Sequence, residues 1–137
     1  MRKHLLAVLA YVVATFATQA VSHFGVNAAH YAAVTYLRAQ PIFALGVLSM
    51  LIQGSIMSYL YTHLPESGRS TGHAVLFGWL VGGILVSYEA LAEAAKYSVP
   101  SVASWIAVEV AVGFVQFTLY GALLSWVHRA RVPQAAR

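Results

Sequence analysis

The stretch PIFALGVLSMLIQGSIMSYLYTH, residues 41–63, holds no Lys, Arg, Asp or Glu and a single amide, Gln53, near its middle. A run this apolar suits a helix crossing a bilayer, because about 20 residues at 1.5 Å each span a ~30 Å hydrocarbon core. Three further segments qualify on the same ground: 5–31, 73–97 and 102–127. Together the four nearly exhaust the 137 residues. The expected fold is an all-α integral membrane protein, a single domain of four transmembrane helices in an up-down-up-down bundle with short connections between antiparallel neighbours. Pro41 opens the second span, Pro65-Glu66-Ser67-Gly68 with Arg69-Ser70-Thr71-Gly72 forms a polar turn, and Ser98-Val99-Pro100-Ser101 separates the last two. Residues 32–40 suit either a continuation of the first helix or an interfacial turn.

Composition agrees. The chain is 60% hydrophobic and 9% charged, against about 45–50% and 25% in soluble domains. That excludes a cytosolic enzyme, a nucleic-acid binder and a secreted domain. The absence of cysteine excludes disulfides, thiolate metal sites, a cysteine nucleophile and covalently attached haem. The net charge of +4 is best read through its placement. Arg2, Lys3, Arg69, Arg129, Arg131 and Arg137 fall on one side of the spans, and Arg38 and Lys96 on the other. This bias puts both termini in the cytoplasm, in a bacterial cytoplasmic membrane. Met1-Arg2-Lys3, the apolar run behind it and Thr18-Gln19-Ala20 also have the outline of a signal peptide; here the segment is read as a retained first span. Trp79 and Trp126 then lie toward the inner half and Trp105 near the outer surface, as amphipathic rings do at interfaces.

The first and third spans run in the same direction, which invites a comparison of the two hairpins. At an offset of 66 residues, His23, Asn27, His30 and Tyr31 align with Glu89, Glu93, Lys96 and Tyr97. With three residues fewer in the second loop, Gln53 aligns with Gln116. If the hairpins are copies, matched polar residues sit at equal depth, related by an axis along the membrane normal.

Ionisable groups within a span are costly and are functional candidates by default. Glu89 and Glu93 share one face of the third helix with Lys96, and Glu109 lies two turns into the fourth at similar depth. A continuous first helix brings His23, Asn27 and His30 to the same outer layer. Imidazole and carboxylate suit a divalent transition metal such as zinc, iron or manganese. His23 and His30 are ~10 Å apart along a helix, so one ion takes one of them and completes its shell from Glu89, Glu93 or Glu109. The same groups suit proton or cation transfer. They also suit a purely structural layer, with Glu93 paired to Lys96 and Glu89 bonded to Tyr31 or His23.

His4, His63, His73 and His128 mark the inner ends of the four helices, where long amphipathic side chains reach for the interface. A b-type haem needs histidines from two facing helices; only His63 with His73 offers that, close to the surface, which disfavours haem. Gly78 and Gly82 form a GxxxG pattern, and Gly113 thins the fourth helix, all serving close packing within or between chains. Gln53 and Gln116 lie near the bilayer centre, where they either bond to each other or continue a polar path through Gln19.

The leading expectation is a small cation-binding membrane protein, in the role of an accessory subunit of a larger complex. The alternative is a proton- or cation-coupled transporter working as a homodimer. A third reading is a membrane enzyme with a His/Glu acid–base pair acting on a lipophilic substrate.

Overall fold

A computed structural model of the chain describes residues 1–38, 40–65 and 70–129. Residues 66–69 of the turn expected at 65–72, with Arg131 and Arg137, lie outside them. Four helical segments are long and apolar enough to cross a membrane: Arg2–Val26, Phe43–Thr62, Thr71–Lys96 and Val102–His128. Ser70 and Ser101 cap the third and fourth, their hydroxyls accepting from the amides of His73 and Ser104 at 3.3 Å. Each satisfies one of the backbone donors left open at a helix start.

The first span is shorter than its apolar run. It breaks at Asn27 (φ −112°, ψ 18°) and only a short helix, Ala28–Ala32, follows; the residues after it turn and do not continue the helix. The second helix begins at Phe43 rather than Pro41.

The first span packs along the second and the fourth, and the fourth along the third. The second and third form no extended seam. They meet at the end of the bundle that carries the termini, where the Tyr61 ring lies 5.2 Å from Phe77 and 5.0 Å from His128. The packing order is therefore second, first, fourth, third, with the ring open between second and third.

Glycines set the closest approach. A Cβ on Gly78 would lie 2.5 Å from the Phe117 carbonyl oxygen, and one on Gly121 2.6 Å from Val75 Cα. Gly82 receives the Phe117 ring and Gly113 receives Val86. Without water to drive helices together, such close van der Waals contact is a main source of association. The Gly78/Gly82 face is thus occupied inside the chain, against the fourth span.

The packed core lies in the half that carries the termini. There Ala7, Tyr11 and Ala14 interlock with Met57, Tyr61, Phe117, Tyr120 and Leu124. A smaller cluster of Tyr31, Val34 and Trp105 closes the far end.

Both odd-numbered spans carry a π-helical turn, Ser22–Val26 in the first and Tyr88–Ala92 in the third. These lie 66 residues apart, the same offset that aligns His23 with Glu89. π turns are rare and concentrate at functional sites, so their coincidence in register agrees with two hairpins built on one pattern. A twofold axis between hairpins would match the first–fourth seam with the third–second seam. The former is packed and the latter is open.

Candidate functional site

Between the two apolar clusters lies a cavity of about 460 Å³ whose wall takes residues from all four spans. His23, Glu89, Glu93 and Glu109 all line it, as do Gln19, Gln53 and Gln116. Among the described residues, no Lys or Arg lines it.

Glu109 is 7% exposed. Its Oε1 accepts from the Tyr31 hydroxyl at 2.8 Å, and its other oxygen has no hydrogen-bond partner among the described residues. Glu89 is open to the lumen. Its side chain is bonded neither to Tyr31 nor to His23, since Tyr31 donates to Glu109. The backbone carbonyl of Glu89, within the π turn, accepts from the Trp105 indole N–H at 3.0 Å. Trp105 is thereby buried in the wall and does not sit as a lipid-facing interface ring; Trp79 and Trp126 are the exposed tryptophans.

His23 stacks on Tyr31 with ring centres 3.7 Å apart and planes 9° from parallel. Its Nδ1 donates to the Gln19 carbonyl at 3.2 Å, which leaves Nε2 as the ring's acceptor in the neutral form. Asn27 donates to the Ser22 hydroxyl at 2.9 Å and so braces the π turn instead of lining the cavity. His30 is outside the cavity too. A π turn adds a residue to the turn and rotates the downstream residues by about 100°. His30 therefore packs beside Trp105, 5.8 Å between ring centres, with Nδ1 3.4 Å from the Ser104 hydroxyl.

Among the described residues no three His, Asp or Glu side chains gather in an arrangement that could hold a metal ion. The four cavity groups are spread around a wall, and two of them are stacked or bonded to Tyr31. Nor does Glu93 take Lys96 as its partner. The Lys96 ammonium lies 5.0 Å from the Tyr88 ring centre and donates to that hydroxyl at 3.5 Å.

The two central glutamines do not bond to each other. Gln116 Oε1 accepts from Gln19 Nε2 at 3.0 Å, and its Nε2 donates to Thr15 at 3.1 Å. Gln53 accepts from the Tyr11 hydroxyl and donates to Ser49 at 3.2 Å. The first span stands between the second and fourth and intercepts both amides. Polar groups thus line the cavity up to the packed core that Tyr11 joins. At the terminal end, His4 Nδ1 lies 2.7 Å from Ser58, His63 donates to the Tyr59 carbonyl at 2.8 Å and His73 Nδ1 lies 2.7 Å from Ser70.

No protein family model, curated protein or solved structure matches this chain. Its chemistry is read from the cavity itself.

Trp105 and Gly46 also line the cavity, although neither side chain carries ionisable chemistry. Both had a signal in the sequence. Trp105 is four residues before Glu109 and so shares its helix face, and the shift that aligns Gln53 with Gln116 aligns Gly46 with Glu109.

Proposed function

We propose that this four-span membrane protein binds a cation in the cavity lined by Glu109, Glu89, Glu93 and His23. The observation that carries the reading is Glu109, a largely buried residue with one oxygen held by Tyr31 and the other left accessible, in a cavity whose lining among the described residues includes two further carboxylates and no Lys or Arg. A buried negative charge is costly in low dielectric unless something compensates it; a bound cation supplies that compensation. In this reading the termini are cytoplasmic and the cavity lies toward the outer leaflet of a bacterial cytoplasmic membrane, an orientation that the bias of Lys and Arg supports. A transition metal bound here takes one or two of these groups and completes its shell with water.

A second reading, cation-coupled transport, is favoured by the polar side chains that line the inner part of the same cavity. Gln19, Gln116, Thr15, Tyr11 and Gln53 lead inward from the acidic layer along the first span. In this reading Glu109 and Glu89 are the binding site and the open second–third seam is the element that moves. A dimer would use a surface other than the Gly78/Gly82 face, which the fourth span already covers.

The test is calorimetric titration of the purified full-length protein with Zn²⁺, Mn²⁺ and tetramethylammonium, beside Glu109→Gln and Glu89→Gln. Saturable binding of at least one cation, weakened about tenfold or more in both variants, is the expected result. Failure of the wild type to bind any of the three overturns the reading.

A further inference from the structure

The cavity is larger than an inorganic ion requires, and most of its wall is not acidic. At about 460 Å³ it falls in the range of small-molecule sites, roughly 300–1,000 Å³. Phe16, Phe24, Phe43, Val47, Met50 and Leu85 supply much of the lining. The apolar residues come largely from the first and second spans, while the carboxylates come from the third and fourth. The chamber therefore has an oily side and an acidic side.

Its opening is set by the packing. The second and third spans touch through Tyr61 and Phe77 at the terminal end and form no extended seam beyond it. Residues 41–49, the start of the second span, are exposed throughout. The gap between these two spans thus faces the lipid, at the depth of the glutamates.

We propose that the ligand is an organic cation with an apolar body, an amine or quaternary ammonium, which enters sideways from the bilayer between the second and third spans. The inference rests on the cation reading above and deepens it. The head lies against Glu109 and Glu89, where the carboxylates neutralise it, and the exposed Phe16 and Phe24 rings of the same lining offer aromatic surface of the kind that holds quaternary ammonium groups. The apolar body lies along the phenylalanines and Val47. A phospholipid is a poor match, because its phosphate would enter a cavity that has carboxylates and, among the described residues, no Lys or Arg to receive it.

Gly46 provides a selective probe. It lines the cavity on the second span, and a Cβ added there meets nothing within 4 Å. Gly46→Phe therefore starts its side chain in open space and adds a ring to the oily side, and Glu109→Gln removes one of the three carboxylates of the acidic side.

The experiment is calorimetric titration of the full-length protein in lipid nanodiscs with hexyltrimethylammonium, tetramethylammonium and hexyl sulfate. The expected result is saturable binding of hexyltrimethylammonium, tighter than tetramethylammonium by about tenfold or more because its chain leaves water, and no binding of hexyl sulfate. Gly46→Phe should weaken hexyltrimethylammonium by about tenfold or more while leaving tetramethylammonium within about threefold. Glu109→Gln should weaken both. Equal affinity for the two ammonium ions, or a Gly46→Phe protein that binds hexyltrimethylammonium as the wild type does, overturns the amphiphile proposal and leaves the cation reading standing. Binding of hexyl sulfate as tight as that of the ammonium overturns the charge selectivity, and with it both readings.

Discussion

His23 and Glu89 are the second residues of two π-helical turns 66 residues apart, and both line the same cavity. Each turn thus points its ionisable side chain at one volume from a different helix. The double swap His23→Glu with Glu89→His keeps the same groups in the same cavity. It is expected to bind the hexyltrimethylammonium probe within about fivefold of wild type, whereas Glu89→His alone weakens binding by about tenfold or more. Calorimetry on the three proteins checks this. A swap no better than the single change would show that the two positions are not interchangeable.

Gly121 and Gly83 predict opposite responses to the same added methyl group. A Cβ on Gly121 meets Val75 backbone, with Cα at 2.6 Å, while one on Gly83 meets nothing within 4 Å. Backbone cannot step aside as a side-chain tip does, so Gly121→Ala should cost about 1–3 kcal/mol. Gly83→Ala removes a flexible residue from a helix interior and should be neutral or stabilising by about 0.5–1 kcal/mol. Denaturation in mixed detergent micelles, followed by circular dichroism, measures both.

What was legible in the sequence divides along physical lines. Spans such as Phe43–Thr62 could be read because length and charge exclusion are properties of a segment alone. The helix order could not, because lipid-facing and core-facing positions are equally apolar: Leu51 faces outward and Leu124 inward, with nothing in composition to separate them. The expected Gln53–Gln116 pair failed for that reason, since it required the second and fourth spans to be neighbours. The π turns were hidden as well. No Pro marks Ser22–Val26 or Tyr88–Ala92, and an unseen extra residue in the turn moved His30 and Asn27 off the face assigned to them. Gln19, ahead of the first turn, and His23 and Glu89, each near the start of its turn, do line the cavity as their helical spacing implies.

Gln116 holds the first and fourth spans together through Gln19 and Thr15. In a membrane such hydrogen bonds average about 0.6 kcal/mol and reach about 1.7. Gln116→Leu gives up these two and a longer one from Thr18 at 3.5 Å, and strands the Gln19 amide, so a loss of about 1–3 kcal/mol is expected. Gln53→Leu gives up one bond between spans, that from the Tyr11 hydroxyl, and should cost less. The same detergent titration, run on both variants, ranks them, and a larger loss at Gln53 would reverse the assignment of Gln116 as the stronger clasp.

Tyr120 and Tyr31 should answer the removal of one hydroxyl in opposite directions. The Tyr120 ring is fully buried, set edge-on 5.1 Å from Tyr11, and its hydroxyl has no hydrogen-bond partner among the described residues. A buried hydroxyl without a partner costs about 1–3 kcal/mol of desolvation, so Tyr120→Phe should raise stability by about 1 kcal/mol with the ring packing intact. The Tyr31 hydroxyl donates to Glu109 at 2.8 Å. Tyr31→Phe leaves that buried carboxylate without its one donor and should lower stability by about 1–3 kcal/mol. A saturating organic cation should restore most of that loss, because it supplies the charge compensation that the hydroxyl partly gave. Thermal unfolding of the two variants with and without hexyltrimethylammonium measures all three effects. A Tyr31→Phe protein whose deficit is unchanged by the cation would place the ligand away from Glu109.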